Sequence, residues 1–199
     1  VFGDPLHSKP LVINYGTSIR VVIGTNAGAL HMFEDKGATV DEDWAFMPKE
    51  FFNNIKPLRE NYATADKVYG IDGSITSYIK DNNGDGIING ADKVWVFFGL
   101  RRGGTSYYAL DISNPSVPSK LWHIDATSTG FSELGQSWSQ PKLGYSKLNI
   151  NGTGNSAVAA PVLFFGGGYD AAKDSVNPGV ADGKGRAIYM VDAATGSLK

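Results

Sequence analysis

Val94-Trp95-Val96-Phe97-Phe98-Gly99 runs through Arg101–Gly104 into Ser106-Tyr107-Tyr108-Ala109-Leu110-Asp111. Both halves are rich in β-branched and aromatic residues and are divided by a glycine-bearing turn, the pattern of a β-hairpin. Two more stretches repeat it. Ile19-Arg20-Val21-Val22-Ile23-Gly24 turns through Thr25–Gly28 into Ala29-Leu30-His31-Met32-Phe33-Glu34. Ala160-Pro161-Val162-Leu163-Phe164-Phe165-Gly166 runs through a long loop into Arg186-Ala187-Ile188-Tyr189-Met190-Val191-Asp192. In each, an apolar strand closes on Gly and the second strand ends on an acid. A third strand follows in the first two, at Asp43–Met47 and Lys120–Asp125. Repetition of small antiparallel units that must bury their faces against neighbours is how a β-propeller is written in sequence.

Further strands are expected at Pro10–Asn14, Ser74–Lys80 and Lys142–Leu148, so the chain reads as all-β. The one helical candidate is Lys49–Ile55, opened by Pro48, with Leu58–Asn61 a weak continuation past Pro57. An irregular β-sandwich is the rival fold. It would space its strands every ~8–12 residues, whereas long loops are expected here at Glu34–Glu42, Asn53–Gly70 and Gly167–Gly185. The repeats mark about three blades of one domain, at 10–47, 74–125 and 142–199. Closed propellers need about four to eight, so the 199 residues read as a fragment of one propeller domain. A chain that begins Val1-Phe2-Gly3-Asp4, without initiator Met or signal peptide, and ends at Leu198-Lys199 after a turn signal agrees with that reading.

Composition narrows the function. Lys and Arg number 18 against 20 Asp and Glu, a formal charge of −2. Nucleic-acid binding and a polybasic membrane anchor both need clustered positive charge and are not supported. No apolar run approaches the ~20 residues of a transmembrane helix. Cysteine is absent, which removes disulfides, thiolate metal sites and thiol nucleophiles together. Glycine, at 25 residues, implies many tight turns.

Between two expected strands lies Asp81-Asn82-Asn83-Gly84-Asp85-Gly86-Ile87-Ile88-Asn89-Gly90-Ala91-Asp92. Counting from Asp81, oxygen-bearing side chains fall at positions 1, 3, 5, 9 and 12, Gly at 6 and an apolar residue at 8, the pattern of an EF-hand-type calcium loop. Calcium takes about six to eight hard oxygen ligands, so a chain must wrap the ion in steps of two residues. Asp81, Asn83 and Asp85 would offer side-chain oxygens, Ile87 its carbonyl, Asn89 a ligand directly or through water, and Asp92 the closing carboxylate, with Ile88 in the core. Asp in place of Glu at position 12 leaves three carboxylates and points to affinities on the order of 10⁻⁴–10⁻³ M, suited to extracellular calcium. The bland alternative is a polar turn without metal. Strands rather than helices flank the loop, so no calmodulin-like opening is expected.

Other candidates are weaker. Asp41-Glu42-Asp43 and the loop with Asp170, Asp174 and Asp182 read as solvated acids before a second cation site. His7, His31 and His123 are scattered, and His31 reads as a packed strand residue. Arg101-Arg102-Gly103-Gly104 lacks the Lys-Ser/Thr ending of a phosphate loop and precedes a strand, so it reads as a tight turn. No catalytic set assembles.

Val96–Ile112, with its Arg101-Arg102-Gly103-Gly104 and Tyr107-Tyr108-Ala109-Leu110-Asp111 segments, resembles the signature of the PilY family of type IV pilus biogenesis proteins and tip adhesins. Gly3–Ser8 with Pro10, Gly24–Phe33, Tyr69–Gly73, Leu134–Pro141 and Phe165–Asp170 resemble further family motifs in family order. The resemblance implies a modified, quinoprotein-like propeller forming the C-terminal domain of a larger exported protein. It implies Ca2+ held by Asp81, Asn83, Asp85, Ile87 and Asn89; Asp92 is added from the loop pattern alone. It implies a place with minor pilins at the pilus tip or outer membrane, reached through the periplasm. There the protein would promote assembly or counter retraction, supporting twitching motility and attachment to host or abiotic surfaces. The family's von Willebrand factor A-like domain is not among these residues and no Arg-Gly-Asp triplet occurs, so functions resting on them are not expected of this stretch. Two alternatives stand beside this non-enzymatic role. One is a quinone-cofactor dehydrogenase, suggested by Asp192 and the Ala193-Ala194-Thr195-Gly196 turn, but Trp44, Trp95, Trp122 and Trp138 show no regular blade spacing. The other is a metal-independent propeller scaffold.

Overall fold

A computed structural model of the chain describes residues 3–61, 67–175, 179 and 181–199. The parts of the expected loops at 62–66, 176–178 and 180 lie outside the described residues. All eleven expected strands form. The first sheet joins β1 (Leu11–Asn14), β2 (Ile19–Gly24), β3 (Leu30–Asp35) and β4 (Val40–Phe46) in sequence order. The second joins β5 (Thr76–Lys80), β6 (Lys93–Gly99), β7 (Tyr107–Asp111) and β8 (Ser119–Ile124), and the third β9 (Lys142–Asn151), β10 (Val158–Gly166) and β11 (Ile188–Asp192). Every pairing is antiparallel.

The sheets stack because the middle one is apolar on both faces. Along β6, Val94, Val96 and Phe98 point one way and pack with Val22, Leu30 and Met32 of the first sheet. Phe97 points the other way and, with Tyr107, Ala109 and Trp122, meets Leu163, Phe165, Tyr189 and Val191 of the third. Period-two alternation sends neighbouring residues to opposite faces, yet Tyr107, Tyr108, Ala109 and Leu110 are all buried. Complete burial of one such aliphatic or aromatic side chain stabilises by about 1.5–3 kcal/mol, so sandwiching this strand is strongly favoured.

Two tryptophans tie the sheets together. Trp44 on β4 donates Nε1–H to the Pro115 carbonyl at 2.7 Å, and Trp122 on β8 donates to the Ala193 carbonyl at 2.9 Å, each acceptor 71 residues downstream of its donor. The four tryptophans remain irregularly spaced along the chain; what this pair shares is the separation from its acceptor. The acceptor is a main-chain oxygen in a turn, which any residue supplies, so the sequence carries no mark of it. The strand-ending acids also have a repeated use. Asp111 accepts from Ser113 N and Oγ, and Asp192 from Ala194 N, Thr195 N and Thr195 Oγ1, turning the chain out of β7 and β11. Close backbone contact joins the linkers to one another: a Cβ added to Gly103 would stand 1.9 Å from the Gly70 carbonyl oxygen.

Several boundaries differ from expectation. β4 begins at Val40, so most of the expected Glu34–Glu42 loop is a hairpin closed by Lys36 N–H on Thr39 O at 3.0 Å. Its acids are tolerated in a strand because cations face them: Lys36 reaches Asp41 at 2.7 Å and Arg20 reaches Asp43 at 2.9 Å, while His31 Nδ1 lies 2.6 Å from Glu42. Lys49–Asn54 is a 3₁₀ turn that continues into an α-helix, α1 (Ile55–Glu60), which contains Pro57. Proline fits there because the first helical N–H groups lack intrahelical acceptors in any case. β9 runs on to Asn151 and β10 starts at Val158, so their hairpin is longer than expected.

Replacing Trp122 or Trp44 by Phe keeps a ring but leaves the turn carbonyl without its donor. Each change should cost about 1–3 kcal/mol in urea unfolding; an unchanged midpoint for both would show that the ties are incidental.

Candidate metal centre

Residues 81–92 connect β5 to β6, and the hairpin is closed by the Lys80 and Lys93 pair. The loop is coiled by its own side chains. Asp81 Oδ1 accepts from Gly84 N at 2.6 Å and Oδ2 from Gly86 N at 2.7 Å. Asp85 Oδ1 accepts from Ile87 N at 2.8 Å, and Oδ2 from Asn83 Nδ2 at 2.8 Å. Asn89 Nδ2 lies 3.5 Å from the Ile87 carbonyl oxygen. Gly84, Gly86 and Gly90 have φ of +72°, +78° and +55°, and nothing lies within 4 Å of where their Cβ atoms would be. Their glycine requirement is therefore conformational.

Asp92 occupies a different position from the other acids. Its carboxylate is buried and accepts from Asn82 N at 2.9 Å, Asn82 Nδ2 at 3.0 Å and Asn89 N at 3.1 Å. The main-chain N–H groups of Asn82 and then Asn89 hold its carboxyl below the ordinary carboxylate range, against the opposing effect of burial. Asp92 thus fastens the start of the loop to its end. Ile88 is buried in the core between the first and second sheets, as the loop pattern predicts.

The structure brings Asp81, Asn83, Asp85, Ile87 and Asn89 into one hydrogen-bonded coil, with Asp92 beneath it. Among the described residues no three His, Asp or Glu side chains form a metal cluster by themselves. An ion here would draw on amide and main-chain oxygens beside the carboxylates. That all-oxygen donor set fits a hard cation such as calcium and not zinc, which favours nitrogen and sulfur.

The remaining candidates have partners. His7 Nδ1 lies 2.7 Å from Asp72, a carboxylate 1% exposed. Arg101, at φ +52°, places its guanidinium 4.5 Å from the Trp138 ring centroid. Asp174 pairs with Arg102 at 3.2 Å and Asp182 with Lys173 at 3.2 Å, while Asp170 accepts from Ala172 N and Gly183 N. A small cleft lined by Lys49, Glu50, Ser106, His123 and Asp125 has a volume of about 210 Å³. Ser106 Oγ and Asp125 Oδ2 both approach the same His123 nitrogen, at 3.1 and 3.8 Å, so the imidazole cannot relay a proton between them.

One feature of the site has no signature in the sequence. The loop rests on the β1–β2 turn: Asn14 Nδ2 donates to the Gly86 carbonyl at 3.0 Å, and Ile88 N–H donates to the Asn14 carbonyl at 2.9 Å. These partners lie some seventy residues apart, beyond the reach of spacing arguments.

The chain is similar to the type IV pilus biogenesis factor PilY1 of Pseudomonas aeruginosa strain PAO1, with 27% identity over 182 residues, covering 90% of this chain and 13% of that protein. A PilY1 homolog of Xylella fastidiosa is 26% identical over 186 residues, covering 89% of this chain and 10% of that protein. The chain therefore spans only about an eighth or less of the curated relatives it matches. The crystal structure of the Pseudomonas aeruginosa PilY1 C-terminal domain aligns with a TM-score of 0.55 and 25% identity, covering 91% of this chain and 29% of that one. The family model for the PilY1 β-propeller domain matches residues 12–199. With its stacked antiparallel sheets and this match over nearly its whole length, the chain belongs to the PilY1 β-propeller domain family.

Proposed function

We propose that this chain is the calcium-binding part of a non-enzymatic type IV pilus biogenesis factor, its three sheets being successive blades of one propeller. The observation that carries the reading is the 81–92 loop, an all-oxygen donor set at EF-hand spacing within a PilY1-type domain. Asp81, Asn83, Asp85, the Ile87 carbonyl and Asn89 would hold the ion, and Asp92 would close the loop. Calcium supplies a divalent charge that these oxygens can gather around; it stabilises whichever loop conformation binds it more tightly. Side chains already coiled by N–H donors keep the ordering cost small. On this reading the protein works at the cell surface with minor pilins, promoting pilus assembly or countering retraction, and supports twitching and attachment. The dehydrogenase alternative rests on Asp192 and the turn after it, where Asp192 accepts from Ala194 N, Thr195 N and Thr195 Oγ1 as an ordinary turn-forming acid.

Asp85→Ala removes an exposed carboxylate with no role in the core. In the metal-stripped protein it should lower calcium affinity at least tenfold, with magnesium weak throughout, and in cells it should reproduce the piliation seen on calcium depletion. Wild-type protein silent both in calorimetry and in terbium luminescence would overturn the calcium assignment; normal piliation in a variant that no longer binds would overturn its regulatory role.

The pH dependence has a definite sign. A carboxyl whose folded pKa is depressed contributes stability that is present above its unfolded value and lost as pH falls through the folded one. Asp92 is such a group. The contribution of Asp92 to loop order should therefore be complete at neutral pH and begin to be lost only as pH falls below the ordinary carboxylate value of about 4. Amide exchange at Asn82 and Asn89 reads this directly, and protection unchanged at pH 3 would contradict it.

A further inference from the structure

Resting on the calcium reading above, we infer that Asn14 of the first sheet is a positioning residue for the calcium loop of the second. By the same contacts, calcium in the loop clamps the two sheets together. Two peptide planes flank Ile87, and both are fixed from outside the loop by this one residue. Asn14 Nδ2–H bonds the Gly86 carbonyl at 3.0 Å. A trans peptide is planar and sends its N–H opposite to its C=O, so the Ile87 N–H of that unit faces the loop interior, where it meets Asp85 Oδ1 at 2.8 Å. The next unit is held in the reverse sense. Ile88 N–H bonds the Asn14 carbonyl at 2.9 Å, which turns the Ile87 carbonyl inward, toward Asn89 Nδ2 at 3.5 Å. The main-chain oxygen assigned to the ion is thus aimed by a residue 73 positions away that offers the ion nothing itself.

The surrounding turn is built to hold Asn14 in place. Its Oδ1 accepts from Gly16 N at 2.9 Å, leaving Nδ2 directed at Gly86. Gly16 has φ +81°, and a Cβ there would stand 2.9 Å from Ile87 Cγ2, so the Ile87 side chain closes over a site that only glycine leaves open. Tyr15 donates its hydroxyl to the buried Ile112 carbonyl at 2.5 Å, fixing the turn to the second sheet by a separate bond. Removing the Asn14 side chain therefore loosens the loop without detaching the sheet. Coupling of this kind is reciprocal: if the turn favours the calcium-bound loop, calcium must favour the docked turn by the same factor.

The test uses the whole protein that carries this domain. Asn14→Ala deletes both side-chain hydrogen bonds, to the Gly86 carbonyl and from Gly16 N, but no ligand and not the main-chain bond from Ile88; it should weaken calcium binding about threefold to tenfold, with near-UV circular dichroism unchanged. In wild-type protein, calcium should raise amide-exchange protection at residues 14–18 as well as in the loop; this second measurement stands even where the variant folds poorly. If wild-type protein binds calcium but Asn14→Ala binds equally well and residues 14–18 gain no protection, the clamp is overturned and the calcium site survives. If wild-type protein binds no calcium, both are overturned.

Discussion

The two central strands of the middle sheet have no face that water can solvate. β6 and β7 bury successive residues on opposite sides, so this sheet is stable only when covered twice. From that constraint follow the stacking of the first and third sheets, the two tryptophan ties that run in the same direction, and the position of the 81–92 loop. The loop leaves an edge of the doubly buried sheet and lies across the turn of its neighbour.

That frame gives the loop an outside held by the two sheets and an inside held by its own side chains. Outside, Ile88 is sunk in the core shared by the first two sheets and Asn14 holds the adjoining peptides. Inside, Asp81 and Asp85 are satisfied only by N–H groups of the coil and by Asn83. Exposed carboxylates in such a setting have little to lose in desolvation on meeting a cation. Asp92 differs because its buried oxygens already fasten the loop ends. The loop thus separates the buried carboxylate that fastens its ends from those of Asp81 and Asp85, which coil it and stay open to solvent.

Strand existence was legible because alternation and aromatic content act locally. Strand ends were less so: Asp41 and Glu42 read as loop, and their partners Lys36 and His31, on the facing strand and its turn, make them acceptable in β4. Pro57 read as a break because its tolerance depends on where the helix starts. Of the site, the oxygen-bearing residue types and the inward Ile88 follow from spacing within twelve residues. Asn14 and the Pro115 and Ala193 acceptors do not, since they act through long-range contacts or main-chain oxygens common to every residue.

The central claim is that the loop coordinates calcium through Asp81, Asn83, Asp85 and the inward carbonyl of Ile87. A crystal structure of the protein grown in calcium tests it most directly. An ion with about six to eight oxygen ligands at about 2.3–2.6 Å, these four residues among them, is the predicted result. A loop that keeps its present hydrogen bonds in millimolar calcium, with no ion among them, would contradict it.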